Sequence, residues 1–276
     1  MKKLFFAFFT SVFIVLLSSC SDKINNNDPG RLVVKVTDAP FPIDLIDSAA
    51  VTITKVEIRK AGDGISDGNP FMVIFEDTVT LNLVELQNGI VDELLDIEIP
   101  QGKYDLVRLY VDNASLKIKD GDSYNVKVPS GQLTGIKIFI EPALNVEGGL
   151  TSDLLLDFDL SRSFVMRGNL NKPSDFKGFI FKPVIRAVNN STAGSIAGMV
   201  TDTAKVKIKS ASVWVKQDTV IATAIADTMG YYAFVGLPAG TYSIYATKEN
   251  YDTAGFSGVK VVEGNLTVQN FILKKK

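Results

Sequence analysis

The chain has 276 residues, a formal charge of -2, one cysteine and no histidine. The absence of histidine excludes Ser-His-Asp and Cys-His nucleophilic sites and every His-ligated zinc or iron site. A single cysteine excludes an intramolecular disulfide, and 29 basic against 31 acidic residues leave no cationic excess with which to hold nucleic acid.

Residues 1–20 open with Lys2 and Lys3, run apolar over 4–17, and end in small residues before Cys20, which is the pattern of an export signal. The apolar run falls short of the roughly 20 residues that span a bilayer as a helix. Leu17-Ser18-Ser19-Cys20 resembles the bacterial lipobox. The resemblance implies diacylglycerol on the Cys20 thiol and removal of 1–19 as a lipoprotein signal peptide. Acyl chains at about 0.8 kcal/mol per buried methylene make such an anchor lasting once several are attached. Residues 20–30 are polar and turn-rich and read as a flexible tether. Ser21 and Asp22 resemble a short acidic sorting signal, so the expected location is the outer membrane, on its periplasmic or cell-surface face.

Over 31–188, β-branched and aromatic residues occur in short runs separated by Gly, Asp, Asn and Pro. Val51-Thr52-Ile53-Thr54 alternates, and Lys55 then shifts the phase before Val56 and Ile58, as a bulged strand would. Only 84–96 could hold a helix of any length. Strands without intervening helices predict an antiparallel sandwich. Asn189-Asn190-Ser191-Thr192-Ala193-Gly194 interrupts the pattern and marks a domain boundary, after which a second strand-rich block runs over 193–276. The predicted fold is all-β: two antiparallel β-sandwich domains in tandem, following a signal peptide.

The second block resembles the carboxypeptidase regulatory-like domain, a prealbumin-type sandwich. The likeness rests on Asp227-Thr228-Met229-Gly230-Tyr231-Tyr232-Ala233-Phe234, on Leu237-Pro238-Ala239-Gly240-Thr241-Tyr242, and on the opening Gly194-Ser195-Ile196-Ala197-Gly198. Tyr232, Phe234 and Tyr242 at alternate positions are expected to fill one sheet face. In that family the domain is an accessory, so the resemblance implies no catalytic residue. The first block resembles a lipoprotein family known as a domain of unknown function, number 4382. Thr37-Asp38-Ala39-Pro40, Gly102-Lys103-Tyr104, Leu156-Asp157-Phe158-Asp159, Ser163 and Phe181-Lys182-Pro183-Val184-Ile185 carry that likeness. It implies an exported setting and no activity.

Chemistry is sparse. Asp157 and Asp159 lie two apart in a strand, hence about 6.5 Å apart on one face. They are candidate ligand or metal residues, or the paired carboxylates of a glycosidase; the bland reading leaves them accepting hydrogen bonds. Ser174 and Lys177 have Ser-x-x-Lys spacing without the companion motifs of penicillin-recognising enzymes. Asp120-Gly121-Asp122, and Asp63-Gly64 with Asp67-Gly68-Asn69, resemble calcium loops but lack the full pattern and fit hairpin turns better. Trp214, the one tryptophan, could stack on a sugar, although core packing is the favoured reading. Asp-Ser/Thr followed by Ala, Val or Met occurs six times and resembles an O-glycosylation signal of exported bacterial proteins. Its acceptors are Ser48, Thr78, Thr203, Thr219, Thr228 and Thr253; turn chemistry explains the same tripeptides equally well.

These readings give a lipid-anchored, non-enzymatic envelope protein of binding, adhesive or structural type, with a glycan or protein as ligand and no cofactor. The alternative is an envelope carbohydrate-active enzyme using Asp157 and Asp159. An assembly subunit would need an exposed sheet edge.

Overall fold

Buried apolar residues two apart, Val51 with Ile53 and, after a phase slip, Val56 with Ile58, drive this sequence into strands. The computed structural model describes residues 28–39, 46–62, 70–126, 128–129, 133–168, 175 and 177–276. The described strands of the first block are β1 (Gly30–Ala39), β2 (Ile46–Lys60), β3 (Phe71–Phe75), β4 (Val79–Asn82), β5 (Asp92–Ile99), β6 (Gly102–Ile118), β7 (Ser123–Val126) and β8 (Ile136–Val146). They continue with β9 (Thr151–Asp159), the single helical turn α1 (Leu160–Ser163), β10 (Phe164–Met166), β11 (Phe179–Phe181) and β12 (Ile185–Asn189).

One sheet runs in the order β3-β2-β6-β8-β12-β9-β1-β5, with β4 added on β2 and β7 on β6. It folds over a single core, because Leu32, Val34 and Leu156 at one end share a cluster with Val51, Ile53 and Leu109 at the other. Most pairings are antiparallel, while β1 with β9 and β12 with β8 run parallel. The bulge expected near Lys55 is present: the register of β2 on β6 shifts between Ile53 and Lys55. No helix forms over 84–96, the one stretch that could have held one. A 3-10 turn, Leu83–Leu86, buries Leu83 and Leu86, and β5 follows. Asn88 and Gly89 between them hold φ of 55° and 85°, a left-handed pair that stops a helix and turns the chain back onto β1.

The second block consists of β13 (Ala193–Asp202), β14 (Ser212–Lys216), β15 (Val220–Ile225), β16 (Tyr231–Pro238), β17 (Gly240–Thr247), β18 (Ala254–Val261), β19 (Leu266–Val268) and β20 (Phe271–Leu273). The sheet β16-β13-β19, with β20 also on β13, faces the sheet β15-β14-β17-β18. Between them lie Ile196, Val213, Val215, Ile244 and the rings of Tyr232, Phe234 and Tyr242. The expected aromatic face is thus the core of the block, with Tyr232 edge-on to Phe234 at 5.8 Å. Gly198 is glycine for a steric reason: a Cβ there would lie 1.8 Å from the Gln269 carbonyl oxygen. A 3-10 turn, Asn190–Thr192, is the whole connection between β12 and β13, so the two blocks abut.

Candidate functional site

Parallel pairing of β1 with β9 sets Thr37 opposite Asp157, Asp38 opposite Phe158 and Ala39 opposite Asp159. Most residues that carry the first block's family likeness therefore meet at one end of the sheet. Alternation sends Asp38 to the core face, in phase with Val34 and Val36, and sends Asp157 to the opposite face with Leu155. Asp38 is 4% exposed; its Oδ1 accepts the Leu160 N–H at 3.1 Å. Its Oδ2 has no partner, although the Gln87 side chain faces it. Burial pushes the Asp38 carboxyl well above the usual carboxylate range, and the charge of Asp157 adds to the shift.

Asp157 accepts Arg186 Nη2 at 2.7 Å and Nε at 3.2 Å, both on Oδ2. Burial raises its pKa, and the Arg186 charge pulls it back. Asp159 caps α1: Oδ1 accepts the Arg162 N–H at 3.0 Å and the Ser161 hydroxyl at 2.6 Å, while Oδ2 accepts Arg162 Nε at 2.6 Å. Ser163, fully buried, accepts the Val184 N–H on Oγ at 2.9 Å and the Lys182 N–H on its carbonyl at 2.7 Å. The segment Phe181-Lys182-Pro183-Val184 is thereby stitched to α1.

Arg186 also reaches the second block, donating from Nη1 to the Gly236 carbonyl at 2.7 Å and from Nη2 to that of Val235 at 3.4 Å. Leu155, Val188, Ala193 and Val235 pack beside it as a small apolar cluster. Close approach from both sides explains two glycines. Gly236 has φ 64°, and a Cβ on it would stand 2.6 Å from Leu155 Cδ2; Gly89 has φ 85° and meets Ala233 and Val235. A cavity of about 10 Å³ lies against Asp38, Asp157, Arg186 and Thr223, and a cleft of about 80 Å³ against Asp157, Asp159, Arg162 and Ala222.

Asp157 and Asp159 do share that cleft, but each is held by its own arginine. The space is well below the ~300 Å³ at which ligand pockets begin. Among the described residues no group of three or more Asp, Glu, Cys or His side chains is placed to hold a metal ion. Asp38 enters the sequence reading only as part of the motif Thr37-Asp38-Ala39-Pro40, with no site role, and Arg186 not at all. Arg186 had a signal, as the lone charge in Ile185-Arg186-Ala187-Val188.

Trp214 corrects an expectation. Val213 and Val215 take the core positions of β14, so Trp214 lies on the outer face of the sheet. There it stacks on its cross-strand partner Tyr245, with centroids 5.5 Å apart and planes at 16°. Lys216 Nζ stands 5.5 Å from the Tyr245 ring, and Tyr245 in turn covers Gly255.

Cys20, Ser174, Asp63, Gly64, Asp67, Gly68 and Asn69 lie outside the described residues. Asp120 has φ 54° in the turn after β6, where the Gly121 N–H bonds the Ile118 carbonyl. Of the glycosylation candidates, Thr78, Thr203, Thr219, Thr228 and Thr253 are exposed, while Ser48 is half-buried in β2. Turn chemistry operates at three of these tripeptides: Asp77 accepts the N–H of Thr78, Asp202 those of Ala204 and Val206, and Asp227 those of Met229 and Tyr231.

Fold and site together define a tandem all-β protein whose blocks meet at a charged joint. The chain belongs to the family described as a domain of unknown function, DUF4382, whose profile matches residues 29–183. A profile for the carboxypeptidase regulatory-like domain matches residues 195–274. No curated protein sequence matches the chain. Among solved structures it is similar to the Bacillus anthracis TIE protein at 14% identity and TM-score 0.26, covering 90% of this chain and 34% of that one. The chain thus spans about a third of that protein's length. It is similar to the shaft pilin SpaA from Lactobacillus rhamnosus GG at 11% and TM-score 0.25, covering 90% and 98%. The major pilin subunit BcpA of Bacillus cereus gives 14% and 0.26, covering 90% and 71%. Likeness at this level says nothing of what this chain binds.

Proposed function

We propose that this chain is a non-enzymatic binding or structural protein of the cell envelope, held to the outer membrane by lipid on Cys20. One observation carries the non-enzymatic reading: the two acids that best fit catalysis are engaged by Arg186 and Arg162 in a joint between blocks. A glycosidase needs one free acid and one free base flanking a sugar-sized opening; here Asp157 is tied across to the Gly236 carbonyl through Arg186. The joint ties the second sandwich to the first through Arg186 and the apolar cluster beside it. Among the described residues no helix is long and apolar enough to cross a membrane, and the anchor of this proposal is the lipid.

A glycan is the ligand class we favour. Trp214 and Tyr245 form a near-parallel aromatic pair on the outer face of the second block, beside the Lys216 ammonium and the Ser243 and Ser257 hydroxyls. Aromatic faces carry negative charge density that attracts the polarised C–H face of a pyranose, and the flanking polar groups can meet its hydroxyls. A glycan array probed with the purified chain is expected to give hits that Trp214→Ala and Tyr245→Ala abolish. Hits that survive both substitutions, or none on any glycan, would remove carbohydrate from the proposal.

A further inference from the structure

The joint between the blocks contains one more acid than it has arginines. Asp38, Asp157 and Asp159 lie together there with Arg186 and Arg162; Arg162 is bonded to Asp159 and Arg186 to Asp157, and neither is bonded to Asp38. From the other elements packed there, the polar neighbours are Thr37 of β1, Gln87 of the loop before β5, and Thr223 of β15, none of them charged. The second block contributes Ala222, Ala233, Phe234 and Val235, which carry no charge either. Lys35, two residues from Thr37 along β1, is occupied by Asp153 at 2.6 Å.

We propose that Asp38 holds a proton in the folded chain and, as a neutral acid, donates a hydrogen bond within the joint between the two blocks. Charge balance among the three acids requires one positive charge beyond Arg186 and Arg162. The adjoining cavity of about 10 Å³ seats no more than one water-sized sphere, and a divalent cation in it would overshoot the balance beside a guanidinium. A proton supplies the charge without needing ligands. Asp157 accepts two N–H groups of Arg186 on Oδ2 while no cation is bonded to Asp38, so the proton of the pair resides on Asp38. A partner is at hand: Gln87 is buried beside Asp38, and its Oε1, its Nε2 and Asp38 Oδ2 all otherwise lack a partner; Nε2 turned to Asp38 would favour the charged acid, and Oε1 turned to it the neutral one. A bond from Asp38 Oδ2–H to Gln87 Oε1 satisfies both atoms at once. Desolvation acts in the same direction, raising the Asp38 pKa well above its ordinary value.

The linkage has a definite sign. An acid that binds its proton more tightly folded than unfolded gives its greatest stability below the ordinary carboxylate pKa of about 4. That stability falls as pH rises from there through the folded value. Asp47, Glu57 and Asp96, whose pKa values are lowered by Lys117, by Lys55 with Tyr110, and by Arg31, have the opposite sign and act only at lower pH. They leave the neutral range to Asp38 and its neighbour.

Infrared spectra of the full chain in detergent at neutral pH are expected to contain a protonated-carboxyl C=O band that Asp38→Asn removes. The thermal midpoint of the wild type should fall by a few degrees between about pH 5 and pH 8, whereas that of Asp38→Asn should fall less across the same range, keeping only what Asp157 contributes. Absence of the band in the wild type at neutral pH overturns the proposal, as does its persistence in Asp38→Asn. Should Asp38→Asn fail to fold, titration of the wild-type band decides alone: loss only well above the ordinary carboxylate range supports the proposal, and loss near about pH 4 overturns it. A midpoint raised by added calcium and lowered by a chelator, with no such band, would assign the site to a cation and overturn it too.

Discussion

Replacing Arg186 by methionine tests the joint most sharply, because methionine keeps the apolar stem and deletes only the guanidinium. The substitution leaves Asp157 buried without its counter-charge and strips the Gly236 and Val235 carbonyls of their donor. Breaking a fully buried pair by removing one partner costs about 3–5 kcal/mol. Arg186 is 25% exposed and Asp157 11%, so solvent screening trims the loss, and protonation of Asp157 limits it further; about 2–3 kcal/mol is expected near neutral pH. The loss should shrink as pH falls and Asp157 takes up a proton. Asp157→Asn in the same chain should recover part of it, since no charge is then stranded. Denaturant unfolding can follow both blocks at once. Trp214, the only tryptophan, reports on the second, while far-ultraviolet circular dichroism reports on the whole. In Arg186→Met the two transitions should move to lower denaturant and separate. Midpoints within about 0.5 kcal/mol of wild type, the usual effect of a surface substitution, would refute the claim that Arg186 holds the blocks together.

Gly198→Ala should destabilise the second block by at least about 2 kcal/mol, because the new methyl meets the Gln269 backbone oxygen rather than a movable side chain. Gly258→Ala, with φ 77° and nothing within 4 Å, should cost only the left-handed penalty of about 1–2 kcal/mol, and thermal melts of the pair will tell them apart. Cys20→Ala should release the chain from the membrane fraction or leave an uncleaved precursor; failure of labelled palmitate to enter the wild type would end the lipoprotein proposal. Intact mass of natively expressed protein should show hexose-sized increments, lost in Thr219→Ala or Thr253→Ala, if the exposed tripeptides are acceptors; the mass of the lipidated polypeptide alone would leave only their turn role.

Local signals were legible in the sequence and long-range partners were not. The phase slip at Lys55 is a pattern within one strand, and it is present as a register shift against β6. The stretch 84–96 is long enough to hold a helix, yet after the 3-10 turn that buries Leu83 and Leu86 Asn88 and Gly89 rule it out through two left-handed backbone positions. Asp157 and Asp159 could be picked out as a pair, but what each does depends on residues that only folding brings near. Arg186 is 29 residues from Asp157, and Asp38 is 122 from the Leu160 amide it caps. Trp214 shows the same limit. Alternation in Val213-Trp214-Val215 fixes that it opposes the valines, but not which face meets the core, and that is decided by the facing sheet that carries Tyr232 and Phe234.

The central claim is that the Asp157 and Asp159 pair is a structural joint and not an active site. Incubating the chain with a panel of envelope and host glycans, and separating the products by mass, tests it most directly. The account predicts that every glycan is recovered intact from wild type and from Asp157→Asn alike, with any retention on the protein lost in Trp214→Ala. Cleaved product from the wild type that disappears in Asp157→Asn, while that variant keeps its fold and its glycan binding, would contradict it.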